Sequence, residues 1–143
     1  MSVDLTEIEA FKEVVDSSEN MIGFVYNLAN GDVYFSSDKC SVPAPDRGNR
    51  TWNDESYRAE YEVWREIHDK EEQEFLDKFG YKHCMQEGGG EGGAEDCEGV
   101  FKLGDKYYHT YWTYRSHDGS DYDDIVDHLS YVTPAERKVT VYI

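Results

Sequence analysis

The chain is short of cations and cysteine, and it has no long apolar run. Each shortage excludes something. Lys and Arg number 14 against 31 Asp and Glu, a formal net charge of −17. Nucleic acids and anionic membranes are held chiefly by Lys and Arg that neutralise phosphate, so direct binding to either is not expected. No apolar stretch approaches the roughly 20 residues that cross a bilayer as a helix. The opening Met1-Ser2-Val3-Asp4-Leu5-Thr6-Glu7 is acidic and has none of the apolar core of a signal peptide. Only Cys40, Cys84 and Cys97 are present, an odd count that suits free thiols in a reducing cytoplasm better than a disulfide framework.

What is present suits one folded domain. The 143 residues match a single core over 1–143. Hydrophobic residues make up only 38%, but 15% of the chain is aromatic, with 12 Tyr, and each buried ring removes a large area from water. The expected product is a folded protein with a highly charged surface rather than a disordered acidic chain.

Hydrophobic spacing predicts an α+β fold, mostly antiparallel sheet packed by one short N-terminal and one long central helix. The first helix is expected from Thr6 to Asp16, with Thr6 and Glu9 as a capping box and Leu5, Ile8, Phe11, Val14 and Val15 on one face. A hairpin is expected next. Residues 21–28 and 33–36 read as strands, and Asn30-Gly31 suits the positive φ angles of a tight turn. Residues 37–52, with Pro43, Pro45 and Gly48, read as a surface loop. The long helix is expected over 54–79, capped by Asn53 or Asp54 and ended by Gly80. Tyr57, Tyr61, Trp64 and Ile67 mark its apolar side, resumed by Phe75, Leu76 and Phe79. The polar stretch 68–74 between them is expected to project past the sheet or bend away.

Residues 87–99 are Gly- and Glu-rich and predict a flexible acidic loop. The C-terminal part reads as strands: 100–103 turning at Gly104-Asp105 into 106–115, then 125–132 and 137–143. In 106–115 both alternating faces are aromatic. Tyr107, His109, Tyr111 and Thr113 face one way, and Tyr108, Thr110, Trp112 and Tyr114 the other. That predicts a central strand or a strand with a binding face. From Tyr107 through Tyr111-Trp112-Thr113-Tyr114-Arg115-Ser116-His117-Asp118-Gly119 to Pro134-Ala135-Glu136-Arg137-Lys138-Val139, the tail resembles the ends of small uncharacterised proteins encoded by bacteriophages. The resemblance implies a phage accessory protein working in the host cell cytoplasm, and it implies no catalytic residues.

No catalytic constellation emerges from the sequence. Cys84 and Cys97, with His83 and a ligand such as His68, His109 or Asp96, lack the paired spacing of a zinc site. Asp118, Asp121, Asp123 and Asp124 lack the alternation and terminal Glu of a calcium loop. His128-Leu129-Ser130 is half of a two-histidine phosphoesterase pattern, and His109 and His117 do not complete it. No metal and no cofactor is expected. An enzyme, if there were one, would draw on His109, His117 and His128.

Two functions from different classes remain. The first is an inhibitor or modulator that binds a basic, nucleic-acid-binding host protein, DNA mimicry included. Its contacts would be Glu60, Glu62, Glu66, Glu71, Glu72 and Glu74 on the long helix, with Glu91, Glu95 and Asp96 from the acidic loop. The second is a nucleotide or other small-ligand binder that stacks its ligand on Tyr108, Trp112 and Tyr114 beside Arg115.

Overall fold

Ile8, Phe11 and Val15 recur at three- and four-residue spacing along helix α1 (Thr6–Val15), and all three are fully buried. The start of α1 departs from the expected capping box. Asp4 takes the role of Thr6: its carboxylate accepts the Thr6 backbone N–H at 3.0 Å and the Thr6 hydroxyl at 2.6 Å. This computed structural model describes residues 3–88, 94–115 and 119–135.

The expected hairpin is instead a helix, α2 (Met21–Asn30). The Asn20 side chain caps it by accepting the Gly23 N–H at 2.7 Å. Phe24, Val25, Leu28 and Ala29 are buried together, a pattern of adjacent pairs four apart that only a helix places on one side. The Asn30-Gly31 pair does use a left-handed residue, but as a helix exit. Gly31 has φ 77°, its N–H points to Leu28 O at 3.4 Å, and the Asp32 N–H bonds Asn27 O at 2.9 Å. Residues 33–36 form no strand, although Phe35 is fully buried.

The sheet is antiparallel, in the order β1 (Lys82–Glu87), β2 (Ala94–Leu103), β3 (Lys106–Arg115), β4 (Gly119–Asp121), with β5 (Ser130–Val132) also paired to β3. Strand β3 is central, with β2 on one side and β4 and β5 on the other. Strand β1 stands where the sequence suggested none. Strand β2 takes up half of the expected acidic loop, because Cys97 and Gly99 are buried positions of its inward face, in step with Phe101 and Leu103. Helix α2 crosses the sheet closely at Gly99: a Cβ there would lie 2.4 Å from the Ala29 carbonyl oxygen, so only glycine fits.

Residues 125–132 were expected to be extended. Only Ser130–Val132 is, and 123–128 turn. The turn brings Ile125 and Leu129, four apart, into the core. The buried Thr110 hydroxyl donates to Ile125 O at 2.6 Å and ties this segment to β3. The expected strand 137–143 lies outside the described residues.

Helix α3 (Glu55–Phe79) has nearly the expected bounds, with Asp54 accepting the Ser56 N–H at 3.0 Å and Gly80 exiting at φ 65°. Phe75, Leu76 and Phe79 pack on the core, yet none of its 25 residues is fully buried. The helix that covers the sheet is therefore α2, which sequence reasoning missed. The long helix is anchored at its C-terminal end and continues from there as a ledge.

Candidate functional site

The N-terminal half of α3 is held by the loop that precedes it. Tyr57, Tyr61, Trp64 and His68 form a ladder of neighbouring rings, with centroids 4.9 to 6.3 Å apart. Trp52 caps the ladder at 5.3 Å from Tyr61, and Phe35 closes it at 5.0 Å from His68. Polar bonds fix the loop to the same side. Trp64 Nε1 donates to Val42 O at 3.1 Å, and His68 Nε2 lies 2.8 Å from Phe35 O. Within the polar stretch 68–74, His68 and Glu71 are fastened to residues 35–41.

This arrangement sorts the expected carboxylates into two groups. Glu71 turns inward. It accepts the Ser41 N–H and the Ser41 hydroxyl at 2.9 Å each, and the Cys40 thiol at 3.3 Å. Burial works against its charge, but the hydrogen bonds from Ser41 and Cys40, with His68 nearby, together hold the carboxyl below its ordinary value. Burial and the nearby carboxylate push the Cys40 thiol up. Glu60 forms an ion pair with Arg50 at 2.6 Å. Glu71 is therefore removed from the candidate contact surface, and Glu60 enters it only with its cation.

The second group faces solvent. Glu62, Glu66 and Glu74 are exposed, and Glu72 is half-buried. At 3.6 residues per turn, Glu55, Glu62, Glu66, Asp69 and Asp77 form one stripe on the side opposite the aromatic ladder. Within that stripe the ion pair is Arg65 to Asp69 at 3.6 Å, spaced i to i+4 and well exposed. Such a pair contributes little and leaves the stripe net negative. Asp96 lies apart from this helix, exposed on β2, and Glu95 stands opposite Tyr114 in the β2–β3 register. Glu91 lies outside the described residues.

The expected ligand platform is turned the wrong way. Tyr108 and Trp112 are buried in the core, and Tyr114, on the same face, packs against it. Arg115 ends β3 opposite Ala94. A ligand cannot stack on rings already covered by α2 and the 122–129 segment. The open face of β3 carries Tyr107, His109 and Tyr111 instead. The signal that settles the choice was in β2: Cys97, Gly99, Phe101 and Leu103 alternate with Asp96, Glu98, Val100 and Lys102. Reading 87–99 as a loop hid it.

The histidines are engaged in structural contacts. His109 Nε2 lies 2.9 Å from Glu98 Oε2. His128 stacks on Tyr111 at 3.8 Å and 7°, with Nδ1 3.0 Å from Tyr111 O. His83 Nε2 lies 3.0 Å from Ala29 O, and His117 lies outside the described residues. Cys97 is buried and Cys84 exposed. Among the described residues, no three His, Cys, Asp or Glu side chains are grouped to hold a metal ion. No helix among them is long and apolar enough to cross a membrane. In comparisons with known proteins, the chain matches no family model, no curated protein and no solved structure.

Proposed function

We propose that this protein binds a cationic protein through the outer face of α3 and acts as an inhibitor or modulator rather than as an enzyme. One observation carries the reading: a 25-residue helix with no fully buried residue holds an exposed stripe of carboxylates, while its ring-bearing side is fastened to its own loop. The fold spends a long helix on surface, and that surface is negative. Attraction of this kind speeds capture of a basic partner and fixes its orientation.

Charge density refines the proposal. From Glu55 to Asp77 the stripe spans about 33 Å at about 1.5 Å per residue, or about one charge per 8 Å. A single DNA strand carries about one per 3.4 Å. The stripe is less than half as dense, which favours attraction of a basic surface over strict imitation of a phosphate backbone. The phage resemblance of the C-terminal region makes a nucleic-acid-binding protein of a bacterial host the first partner class to test, with the host cytoplasm as the place of action.

The test is binding to a panel of basic nucleic-acid-binding proteins at rising salt, with the E55Q/E62Q/E66Q variant in parallel. The expected result is affinity that falls steeply as the Debye length shrinks from about 30 Å to about 8 Å, and falls again in the variant. Affinity indifferent to both salt and the three substitutions overturns the reading.

A further inference from the structure

The face of the sheet turned away from α2 carries an unusual charge order. In register across the strands, Lys82 stands opposite Lys102, and Lys102 opposite Tyr107. Further along, Glu87 stands opposite Glu98, and Glu98 opposite Tyr111. Between these rows lie Met85, Val100 and His109. The side chains share one face. Lys102 Nζ sits 5.8 Å from the Tyr107 ring centre, His109 bonds Glu98 at 2.9 Å, and Glu87, Glu98, His109 and Tyr111 line one hollow.

Like charges directly opposite on neighbouring strands repel, because their Cβ atoms are only about 5 Å apart. Exchanging Lys82 with Glu87 would turn both repulsive pairs into salt bridges. Among the described residues neither lysine has an Asp or Glu oxygen within the 4.0 Å of an ion pair, in a chain with 31 such side chains. The face therefore keeps a positive end and a negative end, with apolar Met85 and Val100 between them.

We propose that this face is an interface between two copies of the chain, related by a two-fold axis through the Met85–Val100–His109 row. A two-fold axis lying along that row sets each end of the patch against the opposite end of the other copy. Lys82 and Lys102 of one then meet Glu87 and Glu98 of the other, twice over. A single symmetry operation pairs both like-charge couples and covers Tyr111, which is 48% exposed in the single chain. The net charge of −17 opposes the approach at long range. At about 0.15 M salt the Debye length is about 8 Å, so contact pairs outlast the net repulsion. Four strands about 4.8 Å apart, over about 20 Å of strand, offer about 400 Å² per copy. That is the size of a weak, transient association.

The test is sedimentation equilibrium of the full chain at about 0.15 M salt, up to the roughly 1 mM that a weak contact requires. The unmodified chain is expected to approach the mass of two chains as concentration rises. K82E/K102E makes both ends of the face negative, and E87K/E98K makes both ends positive. Each variant alone is expected to lose at least about tenfold in association, and an equal mixture of the two to regain it, since every contact is again between opposite charges. Circular dichroism shows whether each variant keeps its fold. NMR shifts of the unmodified chain on dilution give a second readout, expected at Val100, His109 and Tyr111. An unmodified chain that stays single at all concentrations overturns the proposal. So do variants that associate as well as the original, a mixture of folded variants that does not recover, and dilution shifts that fall elsewhere. The stripe on α3 takes no part, so failure here leaves the cationic-partner reading standing, and the reverse also holds.

Discussion

Helices α2 and α3 differ in what the fold uses them for. Helix α2 has ten residues and buries four of them completely against the sheet; α3 has 25 and buries none completely. Their ends are built alike, with an Asn or Asp cap and a left-handed glycine exit. Capping therefore does not separate a core helix from a ledge. Contact with the sheet does: α2 approaches so closely that Gly99 has no room for a side chain, whereas among the described residues the N-terminal half of α3 is bonded to its own loop. Stability is concentrated in α1, α2 and the sheet, and exposed charge on α3.

The comparison is tested hardest in the core. Phe101→Ala removes a fully buried ring stacked at 5.1 Å on Tyr108 and is expected to cost about 3–5 kcal/mol in chemical denaturation. Val63→Ala, at a site 63% exposed on α3, is expected to stay within about 0.5 kcal/mol. Equal costs would remove the distinction between the two regions.

Trp64→Ala deletes the centre of the ring ladder and the bond to Val42. It is expected to weaken hydrogen-exchange protection over 55–68 by about 2 kcal/mol while leaving β2 and β3 protected. Loss of protection in both regions together would make them one cooperative unit.

Alkali should act on the body through two buried tyrosines. Burial pushes Tyr108 up to about 12 and also raises Tyr81, whose hydroxyl donates to Leu28 O at 2.7 Å. The unfolded chain loses these protons near pH 10 while the folded chain keeps them. Stability is then expected to fall above about pH 10, by up to about 1.4 kcal/mol per pH unit for each tyrosine. Tyr81→Phe should flatten that fall in pH-dependent unfolding.

Acid should act on the junction between α3 and its loop. The Glu71 carboxyl is held below its ordinary value, so its contribution is full above that value and is lost as pH falls through the lowered one. Glu71→Gln is expected to cost about 1 kcal/mol near neutral pH and nothing in acid, as read by thermal melts at both.

Much of this architecture was legible in the residues. Asp54 and Gly80 marked the ends of α3, and the two aromatic faces of 106–115 pointed to a central strand or one with a binding face. The hairpin at 21–36 was misread because Asn30-Gly31 serves equally as a tight turn and as a helix exit. Both need positive φ at glycine, and the pairs Phe24-Val25 and Leu28-Ala29 were the better guide. The ligand platform was misplaced because β3 has two aromatic faces, and alternation alone fixes its period but not which face is covered.

By itself the sequence determined the sign and size of the charge, the antiparallel α+β class, and the length of the acidic helix. These follow from composition and from local spacing along a few turns or one strand. Only the tertiary structure decided which face of β3 lies under α2, that Glu71 ties down a loop while Glu62 and Glu66 stay free, and that lysine stands opposite lysine across β1 and β2. Those outcomes depend on contacts between residues far apart in the chain, whose free energy belongs to the packed arrangement and to no single segment.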